Sequence, residues 1–149
     1  MIIGMHHVGV VTRDADRLAG FYCDYFFAER LGEFRWGPDD AALTTRLAAA
    51  GSSGRIVMMG FATGRLELFQ FEDLPAGLPG RQLAVARPGF NHVCLEVDDC
   101  AAEFARLNAL GMSFHAEPLR MPAGGVFAYG RDVDGNVVEI LQSPQLTAS

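Results

Sequence analysis

Long apolar runs are missing from this 149-residue chain, and none approaches the roughly 20 residues that cross a bilayer. A membrane span is not expected. Cysteine is scarce. Cys23, Cys94 and Cys100 are odd in number and show no CxxC spacing, so neither a disulfide framework nor a cysteine-rich zinc site is expected. Basic charge is also in short supply: 12 Lys and Arg stand against 18 Asp and Glu, for a formal net charge of −6. That balance gives no electrostatic footprint for nucleic acid. The opening Met1-Ile2-Ile3-Gly4-Met5 lacks the basic region and long apolar core of a secretory signal. A cytoplasmic protein is the resulting expectation. What remains is ordinary for a globular chain, half hydrophobic and one-fifth charged, and long enough to bury a core.

The informative content is a repeat. Gly4-Met5-His6-His7-Val8-Gly9-Val10 matches Gly89-Phe90-Asn91-His92-Val93-Cys94-Leu95, and Leu66-Glu67-Leu68-Phe69-Gln70 matches Val138-Glu139-Ile140-Leu141-Gln142. One unit thus occurs twice, each time with one histidine and one carboxylate on apolar, strand-like runs. In the first unit, residues 5–12 read as a strand. Asp14 caps a helix whose Leu18, Phe21, Tyr22, Tyr25 and Phe26 form one apolar face. A strand over 31–37, a short helix over 38–50 stopped by Gly51, and strands over 55–61 and 65–71 follow, the last two joined at Thr63-Gly64. Residues 73–88, with Pro75, Gly77, Pro79, Gly80 and Pro88, read as a linker.

The second unit repeats the order. A strand over 90–97 leads to a helix capped by Asp99, with Phe104, Leu107 and Leu110 on one face and Gly111 at its end. Strands follow near 112–118, 125–130 and 136–142, with a turn at Asp134-Gly135-Asn136. The expected organisation is module one over 1–72, linker 73–88, module two over 89–142 and a tail over 143–149, all in a single domain. The spacing supports the alignment. His7 and Glu67 are 60 residues apart, His92 and Glu139 are 47 apart, and the helix inserted over 38–50 accounts for the difference of 13.

A lone histidine in a strand is usually a hydrogen-bonded core or surface residue. A lone glutamate between apolar neighbours usually faces outward. The joint pattern is harder to explain by packing, which would favour apolar residues at matching inward positions. Buried carboxylates are costly unless paired or bound to a cation. His7, Glu67, His92 and Glu139 are therefore the expected ligands of one divalent metal ion. Their nitrogen and oxygen donors suit Zn, Ni, Co, Mn or Fe without choosing among them. Four such ligands leave two octahedral positions for water or a bidentate substrate. Glu67 and Glu139 are also the candidate general bases, and the alternative is that both stay ligands while an outer residue moves the proton.

Weaker candidates surround this set. His6 is expected to face the opposite side of the strand from His7. Cys94 should share the face of His92, more as a small buried filler than as a reactive group. His115, Tyr129 and Arg131 are candidates for orienting a substrate, and Trp36 and Phe69 for lining a pocket.

With these residues in view, the chain resembles the vicinal oxygen chelate superfamily, which includes glyoxalase I, methylmalonyl-CoA epimerase, extradiol dioxygenases, and fosfomycin and bleomycin resistance proteins. The matching motifs are His7-Val8-Gly9-Val10 with Phe21-Tyr22, Leu66-Glu67-Leu68, the run His92 to Asp99, and Asp132-Val133-Asp134-Gly135-Asn136-Val137-Val138-Glu139. The resemblance implies an α+β fold of two βαβββ modules whose curved sheets form a metal cleft, with an extra short helix in the first. It also implies a homodimer and a small-molecule substrate. A carboxylate at Glu67 resembles the four-ligand glyoxalase and epimerase type more than the three-ligand dioxygenases. The implied function is a metal-dependent lyase or isomerase that stabilises an enolate or enediolate. The alternatives are a ring-cleaving Fe(II) dioxygenase and a non-enzymatic protein that binds a drug or metabolite.

Overall fold

The structure is a computed structural model and describes residues 1–73, 86 and 88–144. The chain divides into two compact units, Met1–Pro79 and Gly80–Ser149. The expected linker lies largely outside the described residues, as does most of the tail.

The first unit contains β1 (Val8–Val11), α1 (Ala15–Phe26), β2 (Glu29–Trp36), α2 (Ala41–Arg46), β3 (Gly54–Gly60) and β4 (Arg65–Phe71). Its sheet has the order β1-β4-β3-β2. β1 and β4 run parallel and the other pairs antiparallel. Asp14 ends the first strand's extension and starts α1. Its backbone is extended, and its carboxylate accepts from Arg17 N at 2.9 Å, which satisfies one of the amides a helix start leaves unpaired. Leu18, Phe21 and Tyr22 on α1 are buried, as are Val57 and Met59 of β3 and Leu66 and Leu68 of β4. Burying each such side chain contributes roughly 1.5–3 kcal/mol. Period-two alternation then sends Glu67 and Phe69 to the sheet face away from α1.

The second unit contains β5 (His92–Glu96), α3 (Cys100–Ala109), β6 (Ser113–Phe114), β7 (Leu119–Arg120), β8 (Val126–Arg131) and β9 (Val137–Gln142). Its sheet runs β5-β9-β8-β6, with β7 also on β8. Again the first strand is parallel to the last. Asp99 caps α3 by accepting from Ala101 N and Ala102 N. A second device recurs at both helix starts. Gln70 Oε1 accepts from Ala15 N at 2.9 Å, and Gln142 Oε1 accepts from Cys100 N at 3.2 Å. The last strand of each unit thus ties down the first turn of its helix. The architecture is α+β, two βαβββ modules with an inserted helix in the first.

Three expectations need correction. The strand expected near 112–118 is split into two-residue pieces, β6 and β7, on either side of His115–Pro118. Proline has no N–H to give to a ladder, so pairing stops there. The strand expected over 5–12 begins only at Val8. Leu110 was expected on the apolar face of α3, but it is the helix C-cap and is 47% exposed, whereas Leu107 is fully buried.

Candidate metal and proton-transfer site

The two halves of the repeat place histidine against glutamate in the same way. In the first unit His7 stands just before β1 and Glu67 lies on the adjacent β4, with His7 Nε2 and Glu67 Oε2 3.0 Å apart. In the second, His92 opens β5 and Glu139 lies on the adjacent β9, with His92 Nε2 and Glu139 Oε2 2.9 Å apart. The parallel pairing of first and last strands is what brings residues so distant in sequence together. Among the described residues, no group of three or more His, Cys, Asp and Glu side chains is set to hold one ion. What each unit offers by itself is one pair.

A local turn positions Glu139. The buried carboxylate of Asp132 accepts from Asp134 N, Asn136 N and Asn136 Nδ2, each at 2.9 Å. Gly135 takes φ 84°, a left-handed value that a side chain would strain. The Asp132–Asn136 motif is therefore a structural turn that fixes where β9 begins, two residues before Glu139.

The surroundings of the two carboxylates differ. Glu139 faces Cys94 on β5 and Tyr129 on β8. Both bring a polar side chain next to its carboxylate. Withdrawal from water, reinforced by the charge of Glu139, pushes the Cys94 thiol up to about 12 and raises the Tyr129 phenol. Tyr129 also meets the His92 ring edge-on, with centroids 5.2 Å apart. The equivalent neighbours of Glu67 are Gly9 and Met58, which bring no side-chain donor.

The weaker candidates sort as follows. Cys94, expected on the face of His92 as a small buried filler, lies opposite Glu139 but is exposed, so it is not a core filler. His6 does not turn away from His7; their Nδ1 atoms lie 2.7 Å apart. Strand alternation does not apply there, because β1 starts after both. His115 and Arg131 bond to each other at 3.1 Å, and Arg131 also donates to the Gly135 carbonyl, so together they brace one end of β8. Trp36 is buried and packs edge-on against Phe69 and Phe71. Asn91, which sequence reasoning did not single out, places Oδ1 2.9 Å from His92 Nδ1. Its place immediately before the histidine was the available signal.

The donor set fits a divalent ion. It consists of imidazole nitrogens and carboxylate oxygens, the mixture that borderline 2+ ions take. Each glutamate is partly buried, with side-chain exposure of 18% for Glu67 and 12% for Glu139. Anions so placed are stabilised by a cation nearby.

The family described as Glyoxalase/Bleomycin resistance protein/Dioxygenase superfamily matches residues 4–140. No curated protein matches the chain. Among solved structures, a glyoxalase family protein from Bacillus cereus is similar with a TM-score of 0.83 at 19% identity, over 97% of this chain and 96% of that one. A glutamate-to-glutamine mutant of glyoxalase I from Zea mays has a TM-score of 0.68 at 20% identity, over 95% of this chain and 46% of that one. The fosfomycin resistance protein FosX from Listeria monocytogenes, complexed with Mn(II) and sulfate, has a TM-score of 0.59 at 17% identity, over 97% and 96%. At such identities the likeness is one of fold.

Proposed function

The chain belongs to the Glyoxalase/Bleomycin resistance protein/Dioxygenase superfamily, and on that footing we propose a metal-dependent lyase or isomerase of the glyoxalase I or epimerase type. Its substrate is a small oxygenated carbonyl compound. The observation that carries this reading is the matched His–Glu pair in each unit, at 3.0 Å and 2.9 Å. A single such pair supplies too few donors for a divalent ion. His7, Glu67, His92 and Glu139 together supply four and leave room for a bidentate substrate. On this reading the four residues serve one ion, whether supplied by one chain or by two chains of a homodimer.

When bound, such an ion supplies Lewis acidity toward a carbonyl, which makes the neighbouring C–H easier to deprotonate. This chain's own residues do the rest. Both imidazoles and both carboxylates hold and orient. One carboxylate takes the proton and returns it to a different face or atom. Glu139 is flanked on its own sheet by the polar side chains of Cys94 and Tyr129, which restrict how far it can swing. Glu67 has Gly9 and Met58 at the equivalent places, and its one polar partner among the described residues is His7. We assign the moving carboxylate to Glu67 and the fixed one to Glu139.

A screen of α-hydroxy and α-keto carbonyl compounds, followed by NMR of turnover in D₂O, tests this reading. A carbon-bound α-proton is expected to exchange with solvent or change carbon. Glu67→Gln is expected to lower turnover by about 10²–10⁴-fold with metal still bound, because an amide offers an oxygen but is a very poor base. Unchanged turnover in both Glu67→Gln and Glu139→Gln would exclude either carboxylate as the base. Oxygen consumed in step with product would place the protein among the ring-cleaving dioxygenases instead.

A further inference from the structure

We propose that the residue preceding each site histidine selects its tautomer, and that Asn91 and His6 do so in opposite senses, leaving the second-unit pair open to a cation and the first-unit pair closed by a hydrogen bond. A neutral imidazole carries one N–H and one lone pair, and the partner of one nitrogen decides the role of the other. The inference rests on the metal-dependent reading for its consequence but not for its geometry.

In the second unit, Asn91 Oδ1 can only accept. At 2.9 Å from His92 Nδ1 it places the ring proton on Nδ1. The Nε2 lone pair then points at Glu139 Oε2, 2.9 Å away. Two acceptors at that separation repel unless a cation joins them. Either a proton on Nε2 or a metal ion answers the need, and the ring is already held as a metal-ligating histidine usually is.

In the first unit the chain of partners is longer. Arg65 can only donate, and its Nη1 lies 2.6 Å from His6 Nε2. His6 therefore carries its proton on Nδ1 and donates to His7 Nδ1 at 2.7 Å. The His7 proton is thereby placed on Nε2, where it donates to Glu67 Oε2 at 3.0 Å. Every bond is satisfied with neutral rings. For His7 Nε2 to ligate an ion, its proton must move to Nδ1. His6 Nδ1 must then accept, His6 Nε2 must carry the proton, and Arg65 must leave. The second-unit pair captures the ion first, and engagement of His7 breaks the Arg65–His6 contact. Asn91 and His6 are positioning residues in this scheme, acting on the ion only through their neighbours.

Long-range ¹H–¹⁵N NMR reads imidazole tautomers directly and needs no substrate. In metal-free protein, above the imidazole titration range, His92 is expected with its proton on Nδ1 and His7 with its proton on Nε2. Zinc titration should convert His7 to the Nδ1–H form. Asn91→Leu should weaken zinc binding by about 10–100-fold and release His92 from a single tautomer, and Asn91→Asp should restore both. His6→Ala, at an exposed position that asks nothing of the core, should free His7 from the Nε2–H form and leave zinc binding as tight or tighter. His92 found with its proton on Nε2, wild-type zinc affinity in Asn91→Leu, or an unchanged His7 tautomer in His6→Ala would overturn the proposal. The expected tautomers in a protein that binds no divalent ion would uphold this inference and defeat the metal-dependent reading.

Discussion

Glu67 and Glu139 occupy equivalent strand positions, yet the residues opposite them are unlike. The place of Tyr129 beside Glu139 is taken by Met58 beside Glu67, and that of Cys94 by Gly9. A carboxylate with polar neighbours is restricted in orientation, and outer partners of a metal ligand typically govern metal affinity by about 10–100-fold. Tyr129→Phe keeps the ring that packs on His92 and removes only the hydroxyl. Metal affinity is expected to fall within that range while the melting temperature stays close to that of the parent. Competition titration against a chromophoric chelator would measure it. An unchanged affinity would show that the Tyr129 hydroxyl does not hold Glu139 for the ion.

At the scale of elements, the turn before β9 carries the placement of Glu139. Asp132 is only 6% exposed, and its carboxylate accepts three hydrogen bonds. Asp132→Ala leaves two amides and an Asn136 side chain without that acceptor. A loss of stability of roughly 1–3 kcal/mol is expected, read as a lower urea midpoint with an unchanged slope. A midpoint equal to the parent's would mean that the turn forms without its acceptor. Much of this was legible in the chain. The first and last strands of each unit, both helix caps and the pairing of His7 with Glu67 and of His92 with Glu139 follow from the repeat, because strand alternation and capping chemistry are local rules. The break at His115–Pro118 was less legible, since the flanking residues are strand-like and only Pro118 marks the gap. Strand alternation predicts opposite faces for His6 and His7, but both precede β1, where alternation has no hold. The polar neighbours of Glu139 depend on register across three strands, which no local rule supplies.

At the scale of the molecule, β2 forms one edge of the first sheet and carries Leu31 at 49% and Phe34 at 52% exposure. An open edge with exposed apolar side chains invites pairing with another chain. A homodimer is expected, and sedimentation at micromolar concentration should show a species of twice 16.1 kDa. A 16.1 kDa species alone would contradict it. No helix among the described residues is long and apolar enough to cross a membrane. The two His–Glu pairs are expected to act as one ligand set. Calorimetric titration of metal-free protein with zinc decides this most directly, done on the parent and on His7→Ala, Glu67→Ala, His92→Ala and Glu139→Ala. One ion per chain in the parent, with affinity lowered in all four variants while each stays folded, is the result the account requires. Parent affinity retained in any one of the four, or two independent ions per chain lost pair by pair, would contradict it.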